Sequence, residues 1–252
     1  MEQLFKECCD FIDAEYQRLG HTLGYRFLTC SHTLLNPDIK PLYLSQSPAG
    51  STDIKEHPKT SCEYGSPFFV ERWDGDTPGT SSLQQQTQGM FAMLQAQLKI
   101  PGTVRDFAEQ HILSGYFVPF RCKGLDNLKN KKDSIESACH LWGKIFARWT
   151  PTHILISGSG ILEYVVKSLR QSGFEELHRK QAYSGWKGVY IYTSVLQNKN
   201  VNIFMAAFPN LSHFNIFSRE QCIPPFKNML NETDQPSPSQ PLPPSLLYCK
   251  PR

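Results

Sequence analysis

Residues 41–53 read PLYLSQSPAGSTD. Leu42-Tyr43-Leu44 has the composition of a short buried strand, and it runs straight into a loop of small residues, Ser45, Gln46, Ser47, Pro48, Ala49, Gly50 and Ser51. Small side chains leave the backbone N–H groups of such a loop uncovered. In an open α/β sheet, a loop at the carboxyl end of a strand lies where ligands bind. Taken by itself the stretch also describes a polar turn after an edge strand, so the decision rests on what surrounds it.

A chain of 252 residues is the size of a single α/β domain, expected over residues 1–223, followed by a tail over 224–252 dense in Pro, Ser, Gln and Asn. The balance of 26 Lys+Arg against 23 Asp+Glu gives +3, too weak to identify a polyanion partner but compatible with a local basic face. Eight cysteines stand without C-x-x-C spacing, which argues against a zinc site or a disulfide framework and for reduced thiols. The first residues, MEQLFKECCDFIDAEY, carry acids and no apolar leader core, and no run approaches the roughly 18 apolar residues of a membrane span. These features predict a cytoplasmic monomer with no membrane segment, no cofactor and no metal.

In chain order, the spacing of Leu4, Phe5, Cys8, Cys9, Phe11, Ile12, Tyr16 and Leu19 predicts an amphipathic helix over 2–19, with Gly20 behind it. Residues 52–82 hold no long period and are rich in Gly, Pro, Ser and Thr, a long loop carrying Glu63, Tyr64, Phe68, Phe69, Glu71, Trp73, Asp74 and Asp76. Its rings either wall a site and stack on a planar ligand or plug the core. SLQQQTQGMFAMLQAQLK, 82–99, predicts a helix with a solvated glutamine face. Tyr116-Phe117-Val118 reads as a strand broken at Pro119, and Arg121, Lys123, Lys129, Lys131 and Lys132 after it form the densest basic segment. SIESACHLWGKIFARW, 134–149, predicts a Ser-capped helix, and 154–169 a strand, glycine turn and helix. Its glycines lack the Walker A lysine and the third glycine of a dinucleotide turn, so they read as a tight βα turn. Residues 188–194 and 201–208 predict two further strands, the second ending at Pro209-Asn210-Leu211-Ser212-His213-Phe214.

Four strand ends in this order resemble the uracil-DNA glycosylase superfamily over roughly residues 40–217. Ser45-Gln46-Ser47-Pro48-Ala49-Gly50 is similar to the family's G-Q-D-P-Y-H or G-M-N-P-G-P loop. Tyr116 to Arg121 resembles the strand that starts with a base-reading Asn and continues into Pro. Residues 154–169 resemble the unit before the last motif, and Phe208 to His213 resembles the H-P-S or H-L-S loop. The resemblance implies a three-layer α/β/α fold around a mostly parallel sheet of four to five strands, and a base-excising enzyme acting on DNA. It also marks three departures. The water-activating Asp or Asn falls on Ser47, the uracil-reading Asn on Tyr116, and the electrophilic His on Asn210. Tyr cannot present both an amide donor and an acceptor to uracil, and a hydroxyl cannot stabilise a sugar cation as a carboxylate does, so uracil is not the expected substrate.

Cleaving a base–sugar bond requires negative charge near an oxocarbenium-like sugar, a positioned water, and hydrogen bonds to the departing base. The resemblance therefore implies Asp53 or Glu71 for the carboxylate and Asn210 as a donor to the base. Gln46, Ser47, Tyr64, Phe68, Phe69 and Tyr116 are implied to hold the base, and Ser51, Arg121, Lys123, Ser212, His213 and Phe214 to hold DNA. Either Leu211 or Phe214 is expected to fill the space of the extruded nucleotide. Ala49-Gly50-Ser51 in place of bulk opens the site to a larger, hydroxyl-rich base. One branch of the superfamily is implied to act in bacterial defence by removing glucosylated hydroxymethylcytosine from phage DNA, and the loop is compatible with it. No Lys lies in the strand-end motifs, which points to monofunctional chemistry without a Schiff base. Two other readings stay open: a glycosylase fold that has lost catalysis and binds DNA, a nucleotide or a protein, and a uracil enzyme with relocated groups.

Overall fold

The computed structural model describes residues 1–49, 59–73, 77–199, 201–225 and 227. Its centre is one sheet of six strands: β1 (Pro41–Ser45), β2 (Leu113–Tyr116), β3 (His153–Ser157), β4 (Glu175–Tyr183), β5 (Tyr190–Asn198) and β6 (Val201–Phe208), in the order β2-β1-β3-β6-β5-β4. The first four in that order are parallel, and β5 and β4 extend the sheet antiparallel beyond β6. The sheet thus has one strand more than the four to five expected. The addition is β4, EELHRKQAY, which has no buried residue and so lacks the apolar alternation by which a strand is read.

Side chains alternate between the two faces of a strand, and here each face carries its own core. Leu42, Leu44, Ile154, Ile156, Met205 and Ala207 pack with helices α1 (Glu2–Arg18), α5 (Lys131–Phe146) and α6 (Leu162–Gln171). Tyr43, Leu155, Ala206 and Phe208 pack on the other side, where α2 (Pro67–Val70), α3 (Ser82–Leu98) and α4 (Val104–Gln110) lie. Helices on both faces make both sides of these strands apolar, which is why 42–44 and 154–156 read as unbroken apolar runs.

Several boundaries differ from the sequence expectations. Helix α5 begins at Lys131, with Asn130 in the left-handed region as its cap. Ser134 lies inside it, where its hydroxyl donates to Lys129 O at 2.8 Å rather than capping an end. The strand expected at 116–118 is β2, three residues earlier, although Phe117 and Val118 still donate to Ser45 O and Gln46 O at 2.8 and 2.9 Å. A short helix, α2, interrupts the segment read as a long loop, and a second, α4, forms where no element was expected. The second is announced by a capping box in which Thr103 and Asp106 satisfy each other's backbone N–H.

The largest difference concerns the glutamines of α3. Gln84, Gln86 and Gln95 are buried, not solvated. Gln84 donates to Pro67 O and Glu71 O, Gln88 to Phe68 O and Gly79 O, and Gln86 to Leu211 O while accepting from Ile216 N. Gln84 and Gln88 hold the segment before α3 from one side of the helix, and Gln86 holds the 211–216 segment from another. A primary amide carries donors and an acceptor on one short stem, so it replaces the hydrogen bonds that a buried loop backbone would otherwise lack.

Candidate functional site

The parallel strands end level with one another. Ser45 is in register with both Tyr116 and Ser157, and Ser157 with Phe208. Four segments picked out in the sequence therefore emerge at one edge of the sheet. Gly158 makes their approach possible. At φ +98 it takes a conformation open to glycine, and a Cβ there would lie 2.5 Å from the Gln46 side chain. Gln46 thus lies across the β3 turn, whose Gly158 N donates to Phe208 O at 3.0 Å.

The β1 loop is stitched to the segment after β2. Val118 N reaches Gln46 O, Cys122 N reaches Pro48 O at 3.2 Å, and Arg121 Nη1 reaches Ala49 O at 2.9 Å. Ser47 Oγ and Cys122 Sγ are 3.2 Å apart. Gln46, Ser47 and Tyr116 are half-buried at this edge. Burial pushes the Tyr116 hydroxyl up to about 12, helped by Tyr43 and Glu71 against the cations Arg26 and Arg121, so at neutral pH it is a protonated donor.

Beside this edge lies a buried ion pair absent from the sequence reading. Arg26 grips Glu71 bidentately, Nη1 to Oε2 at 3.0 Å and Nη2 to Oε1 at 2.5 Å, with 3% and 5% of the two side chains exposed. Tyr64 OH donates to the same carboxylate at 3.1 Å and Trp73 Nε1 at 2.8 Å. A carboxylate offers about four lone-pair sites, and the described residues bring four donors to them. In this arrangement Glu71 is the counter-ion of Arg26 and the anchor of the 64–73 segment. Arg26 has a sequence signal, the lone charge in the apolar run Tyr25 to Leu28.

Other sequence-predicted residues divide by burial. Phe68, 2% exposed, stands edge-on to Tyr43, Phe91 and Trp73, so it belongs to the core and presents no ring to a ligand. Leu211 is likewise buried at 1%, which leaves Phe214 as the accessible apolar residue of its loop. Tyr64 is 55% exposed, and Phe69 is half-buried against the second core. Asn210 Oδ1 accepts from Ser212 N and Oγ at 3.0 and 2.7 Å, which shapes the turn and leaves its amide N–H groups directed elsewhere. Ser212, His213 and Lys123 are exposed. The basic run does not form one face: Arg121 is buried, Lys129 donates to Gly20 O and Lys131 pairs with Asp126. Ser51, Asp53, Asp74 and Asp76 lie outside the described residues, as does the tail from 228 onward.

The antiparallel addition contributes residues of its own. Because β5 runs against β6, its start lies beside the end of β6, and the β4–β5 turn joins the same edge as the motif loops. Trp186 of that turn meets Phe214 edge-on at 5.3 Å, and the Arg219 guanidinium sits 5.2 Å over its ring. Neither Trp186 nor Arg219 is marked by local sequence, since only strand direction brings them to Phe214.

Among the described residues no group of three or more His, Cys, Asp or Glu is placed to hold a metal, and no helix is long and apolar enough to cross a membrane. Compared with protein-family models and with curated proteins, the chain matches none.

Proposed function

We propose that the chain is a monofunctional DNA glycosylase that extrudes and hydrolytically excises a modified base. A bulky, hydroxyl-rich base such as the glucosylated hydroxymethylcytosine of phage DNA is the class that suits its small-residue loop. The observation that carries the reading is the register of Ser45, Tyr116, Ser157 and Phe208, which gathers the four family-like segments around one edge. In it Gln46, Ser47 and Tyr116 face the base, Tyr64 and Phe69 supply ring surface, and Asn210 donates through its amide. Phe214 enters the vacated stack, while Ser212, His213 and Lys123 meet phosphates. The N-glycosidic bond breaks with its electron pair going to the base. Water adds to the sugar carbon, and the proton it loses balances the one the base gains.

Since Glu71 already neutralises Arg26, the charge beside the sugar is assigned to Asp53. Base release from glucosylated phage DNA, followed by mass spectrometry of the small product, tests this. Wild-type protein is expected to free the modified base, and Asp53→Asn to lower the rate by about 100-fold or more. No release at stoichiometric protein overturns the enzyme reading.

A second reading has its own observation. Glu71 is held in an ion pair and Ser47, Tyr116 and Asn210 replace the family's reacting groups, the pattern of a fold that binds DNA or a nucleotide without cleaving it. Undiminished DNA binding with no product from any modified DNA would establish that alternative.

A further inference from the structure

Arg121 is a mostly buried residue whose guanidinium makes one hydrogen bond among the described residues. It is 8% exposed, its Nη1 donates to Ala49 O, and among the described residues no carboxylate pairs with it. A guanidinium carries five N–H donors, and the Arg121 nitrogens that Ala49 leaves unused keep contact with solvent, whereas Arg26 Nε is buried without a partner. Arg26 provides the contrast, since its charge is met by Glu71.

Backbone pairing sets the two arginines side by side. Arg26 N donates to Pro119 O at 2.8 Å, Arg121 N to Gly24 O at 3.1 Å, and Tyr25 bridges Phe120 between them. Residues two apart on extended segments project the same way, so both guanidiniums stand on the side of Tyr116 and Glu71. Gly24, at φ +81 opposite Arg121, takes a turn that a side chain would strain. Burial lowers the affinity of Arg121 for its proton and Arg26 lowers it further, against Tyr116 and Glu71. The neighbouring loop adds donors. The carbonyls of Gln46, Pro48 and Ala49 are taken by Val118, Cys122 and Arg121, whereas the amides of Ser47 and Ala49 have no acceptor among the described residues.

We propose that Arg121 and the Ser47 and Ala49 amides form a receptor for a phosphate oxyanion, at the gap between the β1 loop and the segment after β2. A phosphate suits the donor set better than a carboxylate. Its several oxygens can take two N–H bonds from the guanidinium fork and still accept from loop amides. The receptor stands on geometry that base excision does not require. Its phosphate can come from a nucleic-acid backbone or from a free nucleotide.

Thermal unfolding and calorimetric titration with sodium phosphate, with dCMP and with an oligonucleotide lacking terminal phosphates test the proposal, each against sodium chloride at equal ionic strength. A ligand that binds the native state raises the melting temperature. Wild-type protein is expected to respond to phosphate beyond the chloride control, Arg121→Gln to lose the response, and Arg121→Lys, which keeps charge but not the fork, to bind about 10-fold more weakly. Response to the oligonucleotide but not dCMP identifies a backbone phosphate, and the reverse a free nucleotide. Absence of any phosphate-specific response in wild type, or an undiminished one in Arg121→Gln, overturns the receptor. Should Arg121→Gln fail to fold, equal affinity of Arg121→Lys and wild type does so. Phosphate binding that persists where no base is released would remove the excision reading and leave the receptor standing.

Discussion

Glu71 illustrates how contacts can give a side chain a task that its place in the sequence does not show. As an acid in an aromatic loop it invites a catalytic role. With Arg26, Tyr64 and Trp73 on its two oxygens it acts as the centre of a buried polar knot. Removing one partner of a buried ion pair leaves the other charge uncompensated and costs about 3–5 kcal/mol. Glu71→Gln is therefore expected to lower the urea-unfolding free energy by about that amount, and base release by the fold lost in native protein. A variant that keeps its stability but loses base release would return Glu71 to the chemistry. Ser47 stands differently: half-buried and against Cys122 Sγ, it keeps a hydroxyl at the edge but contributes no charge.

Helix α3 works as an element through glutamines that its composition advertises as surface. Gln86 alone holds both ends of the 211–216 segment, the one that presents Phe214. Gln86→Leu leaves Leu211 O and Ile216 N without their partner, each a buried group costing about 1–3 kcal/mol when unsatisfied. Hydrogen exchange is expected to accelerate at the 211–216 amides well before the rest of the sheet. Phosphate binding at Arg121 is expected to persist in this variant, because the β1 loop is held by Val118, Cys122 and Arg121 rather than by α3. Unchanged exchange at 211–216 would mean that the loop is held by its own Asn210 turn.

At the scale of the molecule, two cores share one sheet, and every central strand contributes to both. Neither face can lose its helices without exposing apolar strand residues on that side. A chain of this length often unfolds through intermediates, yet the shared sheet predicts a single cooperative transition for residues 1–223. Tryptophan placement allows the check: Trp142 and Trp149 belong to the first core, Trp73 and Trp186 border the second. Variants keeping only one pair are expected to give urea transitions that coincide with each other and with far-UV circular dichroism. Separate midpoints would show that the two layers come apart independently.

The sequence by itself determined the local elements whose side chains announce their neighbours. The apolar runs of β1, β3 and β6, the period of α1, and the small-residue loop after β1 are all legible, because burial on two faces or on one helical stripe leaves a pattern along the chain. Only the tertiary structure decided the rest. Strand β4 carries no apolar alternation, and none of its residues is fully buried. Phe68 and Leu211 are core residues while Tyr64 is exposed and Phe214 half-buried, a difference set by which of them packs into the second core. The pairing of Arg26 with Glu71, the meeting of Trp186 with Phe214, and the bond from Arg121 to the β1 loop depend on how distant segments are brought together. These are long-range relations, which no residue's immediate neighbours along the chain encode. The opening stretch accordingly showed a strand and the loop after it, and the tertiary structure brought Tyr116, Ser157 and Phe208 level with its end.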